Sequence, residues 1–89
     1  MIEPYLEVTY RRGRPIAAYL YLPRRAGARS HRTTTPAPGL VVDYTRTGKP
    51  IGIEITAPTR LSLTTINRVL RDLGVPPVTR ADLAPLLAA

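Results

Sequence analysis

Three kinds of side chain in this sequence have the chemistry to form a functional site: carboxylates, a single histidine and a series of arginines. Asp43 and Glu54 lie in neighbouring segments, and paired carboxylates can divide acid and base roles between them. His31 has no Cys, Asp or Glu at metal-ligand spacing and no ordered serine and acid to complete a triad. We therefore expect His31 to be a solvated histidine and predict no metal site.

The arginines are concentrated in one part of the chain, and they account for most of the formal net charge of +7. Residues 11–32 carry seven arginines and no acidic residue. These candidate phosphate contacts are Arg11, Arg12, Arg14, Arg24, Arg25, Arg29 and Arg32. Such a segment can neutralise the phosphates of a nucleic acid. The alternative, which charge patterning alone favours, is a solvated basic loop that keeps the protein in solution.

Alternating apolar residues predict a first β-hairpin that would position these groups. Residues 5–10 and 16–22 each alternate apolar and polar side chains, as the period of a strand requires. A three-residue loop at 11–13 ends in a glycine suited to a left-handed conformation. That loop pairs Val8 with Ile16, so the turn and the apolar alternation predict the same register.

A second hairpin is predicted from residues 40–44 and 51–55, joined by a loop at 45–48 that pairs Val42 with Ile51. On that register Glu54 lies too far along its strand to pair with Asp43. We expect Asp43 to accept hydrogen bonds from the turn that follows it, and Glu54 to meet an arginine across the sheet. The sequence therefore predicts neither a catalytic site nor a cofactor, and hence no enzyme.

Residues 23–38, between the two hairpins, have no apolar period and many turn formers, which predicts a long, partly disordered basic loop. After Pro58, helical spacing of apolar residues predicts a helix over 63–73, capped by Ser62 or Thr64 and stopped at Gly74.

Thr79 and Asp82 form a variant capping box before a short second helix, in which Pro85 is tolerable only near the first turn. The fold class predicted is α+β, a four-stranded antiparallel sheet of two β-hairpins with one or two C-terminal helices packed on one face. The whole chain, 1–89, forms one small domain, with the sheet in 1–57 and the helical segment in 58–89.

The sheet face opposite the helices is predicted to carry the tyrosines Tyr5, Tyr19 and Tyr21. Tyrosine is enriched at protein interfaces, so a homodimer formed through this face is the preferred interpretation. Stacking of nucleic-acid bases on the tyrosines beside the arginines is the alternative. Asp43 and Glu54 share the same face and would repel phosphate, which weighs against that alternative.

A resemblance to a known family is carried by residues of the second hairpin: Gly39, Val42, Asp43, Tyr44, Gly48, Gly52, Ile53 and Glu54. Their pattern, V-D-Y-x-x-x-G followed by G-I-E-I, resembles the short bacterial and archaeal proteins known as domain of unknown function twenty-two eighty-three. The resemblance covers about the first two thirds of the chain. It implies an α+β fold, an uncharacterised activity and relatives similar to antitoxin partners of small toxins. The basic turn at 11–15 departs from the acidic turn of that family.

The leading hypothesis is a non-enzymatic, homodimeric protein-interaction module, with an antitoxin that binds a small toxin as its narrower version. The net charge of +7 counts against that version, since an antitoxin would suit a basic toxin better if it were acidic. The competing hypothesis is a nucleic-acid-binding protein that contacts phosphates through the seven arginines. Without cysteine or a long apolar run, we expect a cytoplasmic protein with no membrane partner.

Overall fold

The computed structural model describes residues 5–87 and forms an open antiparallel sheet packed against one helix. The elements are β1 (Tyr5–Arg11), β2 (Arg14–Tyr21), β3 (Arg32–Ala37), β4 (Leu40–Tyr44), β5 (Pro50–Ile55), a 3-10 turn (Pro58–Arg60), α1 (Leu63–Asp72) and the single turn α2 (Ala84–Leu87). The strand order is β1-β2-β5-β4-β3, and every neighbouring pair is antiparallel. The predicted α+β class with an antiparallel sheet is confirmed.

The sheet has five strands, which corrects the predicted number of four. The additional strand, β3, lies inside the segment 23–38 that was predicted to be a loop, and it pairs with β4 through Thr33 opposite Asp43 and Thr34 opposite Val42. Its sequence, R-T-T-T-P-A, has no apolar alternation because β3 is an edge strand with mostly exposed side chains. β-Branched threonines suit a strand, and an edge strand tolerates proline.

The first hairpin has a tighter turn than the one predicted. Arg11 pairs with Arg14, so the loop is the two-residue Arg12–Gly13, and both loop residues have positive φ, 52° and 77°. Such a turn matches the right-handed twist of the two strands it connects. A β-bulge compensates for the shorter loop, because Thr9 pairs with Ala17 and the next residue of β1 pairs with Pro15, which leaves Ile16 out of register.

The predicted register of this hairpin was therefore wrong by two residues, since Val8 pairs with Ala18 and not with Ile16. A shift of two preserves the face on which each side chain lies, so Val8 still points toward the core. Ile16 is the exception: the bulge turns it outward, and it is 48% exposed. Pro15 is buried in its place.

The second hairpin is corrected in the same way. Val42 pairs with Ile53, and Tyr44 pairs with Pro50, so that Ile51 has no partner in β4 and the loop covers residues 45–49. The backbone closes this loop through hydrogen bonds from the Thr45 amide to the Lys49 carbonyl (2.9 Å) and from the Gly48 amide to the Thr45 carbonyl (2.9 Å).

The helix α1 covers one face of the sheet, and the apolar core lies between them. Ile66 and Leu70 of α1 pack in one buried cluster with Leu20, Val42 and Ile53 of three strands. The Ser62 side chain caps α1 by accepting the Thr65 amide at 3.1 Å. No helix within residues 5–87 is long and apolar enough to cross a membrane.

Candidate functional site

The sheet face opposite α1, which we call the open face, carries a cluster of three tyrosines. Tyr5 lies directly opposite Tyr21 in the β1–β2 pair, and their rings stack with centroids 4.2 Å apart and planes 13° apart. Tyr19 is two residues before Tyr21 on β2, and its ring is tilted against that of Tyr21 at 4.7 Å. The structure thus brings the three candidate interface tyrosines into one contiguous aromatic surface.

Tyr19 lies across the neighbouring strand β5 and reaches β4. Its hydroxyl donates a hydrogen bond of 2.7 Å to Asp43 Oδ2, and a Cβ atom at Gly52 would overlap the tyrosine ring. Glycine suits position 52 because any side chain there would have to displace that ring. Ser30 donates to the second oxygen, Asp43 Oδ1, at 3.2 Å. Tyr19 and Ser30 therefore bind the carboxylate that we had expected the following turn to bind.

The two carboxyl groups are closer than the predicted register implied. Asp43 lies opposite Gly52 and Glu54 lies opposite Val41, which makes the two acidic residues diagonal neighbours. Burial and the adjacent charge of Asp43 raise the pKa of Glu54 above its ordinary value. Burial, and then the hydrogen bond to Asp43, raise the pKa of Tyr19, so its hydroxyl keeps the proton that it donates.

These groups surround a shallow depression of about 380 Å³ on the open face, lined by residues that include Glu7, Tyr19, Asp43 and Glu54. Asp43 is only 7% exposed and has both oxygens hydrogen-bonded. The depression has the geometry of a structural polar network on a sheet surface. Residues 5–87 contain no group of three His, Cys, Asp or Glu side chains that could hold a metal ion.

One end of the sheet collects positive charge from two separate loops and from the first residue of β3, and we call it the basic end. At this end the chain leaves β2, enters β3 and turns from β4 to β5. These points lie together because β5 lies between β2 and β4 and because all neighbouring strands are antiparallel. The basic end comprises Arg24, Arg25, Arg29, Arg32, Arg46 and Lys49. Backbone hydrogen bonds fix this junction: the Leu22 amide donates to the Ile51 carbonyl at 3.1 Å, and the His31 amide donates to the Tyr44 carbonyl at 2.7 Å.

Two of these cations lie over tyrosine rings. The Arg24 guanidinium lies 4.7 Å from the centre of the Tyr21 ring, and the Arg32 guanidinium lies 4.4 Å from that of Tyr44. A surface pocket of about 480 Å³ is lined by both loops, with Arg24, Arg25 and Lys49 among its side chains. Threonine hydroxyls at positions 45 and 47 line the same pocket.

The structure does not bring the seven candidate arginines together. Arg11, Arg12 and Arg14 lie at the tip of the first hairpin, whereas Arg24, Arg25, Arg29 and Arg32 belong to the basic end. The eight-residue strand β2 separates the two groups by roughly 23 Å at the ordinary rise of a strand. One predicted basic segment is therefore two basic groups at opposite ends of the sheet.

Sequence reasoning missed two members of the basic end, Arg46 and Lys49. Both lie in the turn between β4 and β5, outside the basic segment 11–32. They join Arg24 and Arg25 only because β2 pairs with β5. Periodicity within each strand carries no signal for that pairing, since it joins segments on either side of the 23–38 connection.

In comparisons with known proteins, the chain matches no family model, no curated protein and no solved structure. The resemblance based on V-D-Y-x-x-x-G and G-I-E-I stays a prediction. The chemistry of the open face and the basic end is thus the basis for assigning a function.

Proposed function

We propose that the protein binds single-stranded nucleic acid without sequence preference, with phosphates at the basic end and bases on the adjoining tyrosines. The observation that carries this proposal is that Arg24, Arg25 and Lys49, from two loops, line one pocket, with Arg24 over the Tyr21 ring of the stacked Tyr5–Tyr21 pair. Proteins that bind single strands combine a positively charged track with aromatic rings on which bases stack. Tyr5 is 49% exposed and therefore has ring surface available to a base.

Arg24 connects the two parts of this site. Its guanidinium lies over Tyr21, and its Nε has no hydrogen-bond partner among the residues that the structure describes. An arginine held by stacking presents its donors in a fixed fork that fits a phosphate.

The acidic residues of the open face limit where a phosphate chain can run. Glu7 and Glu54 both pair with Tyr19, two residues along β2 from Tyr21, and Asp43 is largely buried. The Glu7 carboxylate also accepts a hydrogen bond of 3.4 Å from the Tyr21 hydroxyl, so a negative charge borders the Tyr5–Tyr21 stack on that side. A nucleic acid would therefore run across the strand ends at the basic end and avoid the centre of the face. The acidic centre disfavours binding along the strands, because like charges repel.

The test is binding of a fluorescent single-stranded oligonucleotide, measured by anisotropy over a series of salt concentrations. Replacing Arg24, Arg25 and Lys49 together by Gln is expected to weaken binding on the order of tenfold at low salt. The slope of log K against log salt should fall by about two, because each lost phosphate contact removes roughly 0.7 from it for a single strand.

The matched control replaces Arg68, Arg71 and Arg80 by Gln, which removes the same charge from exposed positions on and after α1. This control should weaken binding by much less than tenfold and should lower the salt slope by much less than two. An equal effect of both triple variants would assign binding to net charge alone, and absence of binding by the wild type at low salt would reject the proposal.

A second candidate function, the homodimeric protein-interaction module, is favoured by the open face. Its three tyrosines form one aromatic surface, and no helix covers this face within residues 5–87. An antitoxin role and the absence of catalysis also stay predictions. If sedimentation shows a strict monomer across micromolar concentrations, the homodimeric module is rejected.

A further inference from the structure

The strand β1 has one edge without a partner in the part of the chain that the structure describes. β1 is the first strand in the sheet order and pairs only with β2. An unpaired edge presents a row of amide and carbonyl groups that can add another strand. The opposite edge strand, β3, contains Pro36, which lacks an amide donor, whereas all seven residues of β1 have one.

We propose that two copies of the chain pair through this edge of β1, antiparallel, about a two-fold axis at Val8. In that register all seven residues of each β1 take part, and Val8 lies opposite the partner's Val8. Leu6 lies opposite the partner's Tyr10, so that the apolar residues of the helix-covered face meet one another. The five-stranded sheets of the two copies then form one continuous sheet.

The length of the paired segment and the charges of the strand together favour this register. Glu7 lies opposite the partner's Thr9 and is diagonal to the partner's Arg11, which gives two attractive pairs related by the axis, and to the partner's Glu7, which gives one repulsive pair across it. A two-fold axis at Glu7 would place the two glutamates against each other, and like charges directly opposite destabilise a sheet. An axis at Thr9 would place Glu7 directly opposite the partner's Arg11 but would engage only residues 7–11 of each strand.

This dimer would also reunite the two basic groups that a single chain keeps apart. Because the strands run antiparallel, Tyr5 of one copy lies opposite the partner's Arg11. The partner's hairpin tip, with its Arg12 and Arg14, therefore adjoins the Tyr5–Tyr21 stack and Arg24 of the first copy. Each end of the dimer combines the basic end of one copy with the hairpin tip of the other.

The dimer does not depend on nucleic-acid binding. The composite basic site, in which the basic end of one copy adjoins the hairpin tip of the other, rests on the proposed function. Bringing two positive groups together disfavours the dimer, and a bound polyanion would neutralise both. A single strand that bridges the two copies should therefore stabilise the dimer by mass action.

A single engineered cysteine tests the axis, because the natural chain contains none. With Val8→Cys, side chains that face each other across the axis should form a disulfide between two copies under mild oxidation. The matched control is Thr33→Cys on the other edge strand, which should stay reduced and monomeric under the same conditions. Failure of Val8→Cys to cross-link more than Thr33→Cys would overturn the proposed interface.

Charge reversal tests the register by sedimentation without nucleic acid. Glu7→Lys and Arg11→Glu should each weaken dimerisation, about tenfold in the dissociation constant, and the double variant should restore it. Circular dichroism of each variant controls for folding. A wild type that stays monomeric at hundreds of micromolar, or a double variant no better than the singles, would overturn the register.

The composite site has a separate readout. In the cross-linked Val8→Cys dimer, replacing Arg11, Arg12 and Arg14 by Gln should weaken oligonucleotide binding and lower its salt slope. Unchanged binding would reject the composite site while the cross-linking result stands. Absence of any oligonucleotide binding would instead reject the proposed function and leave the dimer intact.

Discussion

At the scale of single residues, Tyr19 defines the open face. Its ring spans the width of β5 over Gly52, and its hydroxyl reaches Asp43 on β4. The contact couples three strands through one side chain and explains a glycine in the middle of a strand. The same hydrogen bond holds a largely buried carboxylate, which would otherwise cost free energy in the folded state.

The first residue-scale prediction concerns pH. The pKa of Tyr19 is raised in the folded protein, so the contribution of its proton to stability is fully present below the unfolded pKa, about 10, and is lost as pH rises above it. Urea unfolding between about pH 8 and pH 11 should show stability falling more steeply in the wild type than in Tyr19→Phe. Equal pH slopes in the two proteins would contradict the assignment.

The second residue-scale prediction concerns Gly52. Gly52→Ala should destabilise the protein by about 1–3 kcal/mol in chemical unfolding, because the added methyl group displaces the Tyr19 ring. In a Tyr19→Ala background the same substitution should cost nothing or stabilise by up to about 1 kcal/mol, since alanine suits a strand better than glycine. If Gly52→Ala still destabilises the protein in that background, the double-mutant cycle would show that the added methyl group clashes with a group other than the Tyr19 ring.

At the scale of elements, α1 organises the C-terminal segment as well as covering the sheet. The Asn67 side chain donates to the Val78 carbonyl at 3.0 Å and accepts the Val78 amide at 2.8 Å. Thr79 and Asp82 then exchange reciprocal backbone-to-side-chain hydrogen bonds of 2.7 Å and 3.2 Å, as the predicted capping box requires. These contacts position Leu83 in the core, although the chain next to it forms only one helical turn.

The element-scale prediction is that Asn67→Ala releases this segment. The substitution leaves the amide and carbonyl of Val78 unpaired and should lower stability by about 2 kcal/mol in urea unfolding. Hydrogen exchange should accelerate first in residues 75–87, ahead of the sheet. Arg68→Ala, at the neighbouring exposed position of α1, serves as the control and should stay within about 0.5 kcal/mol of the wild type. Uniform acceleration across the sheet would contradict a local role.

At the scale of the whole molecule, charge is arranged along the strands. The hairpin tip and the basic end are positive, and the centre of the open face carries Glu7, Asp43 and Glu54. Under the proposed function, this arrangement would direct a bound polyanion to the ends of the sheet. It also gives an edge-paired dimer a physical reason to bind polyanions better than one chain does, because each end would then hold basic residues of both copies.

The sequence alone determined which segments are extended and which is helical. Period-two alternation identified four strands, 3.6-residue spacing identified α1, and Gly48 and Gly74, both with positive φ, lie where a turn and a helix stop were predicted. These properties depend on neighbouring residues, so local pattern is sufficient to predict them. β3 was missed because this threonine-rich edge strand buries few side chains and therefore has no alternation of apolar and polar residues.

Only the tertiary structure decided the registers and the contents of the site. Bulges at Ile16 and Ile51 shift each hairpin by two residues without changing the face of the paired residues, so alternation of the paired residues fits both registers equally well. The hydrogen bond of Tyr19 to Asp43, and the pocket that Arg24 shares with the turn that carries Lys49, follow from β5 lying between β2 and β4. Strand order is a long-range property, fixed by how the whole sheet buries its apolar face, and no local spacing of residues encodes it.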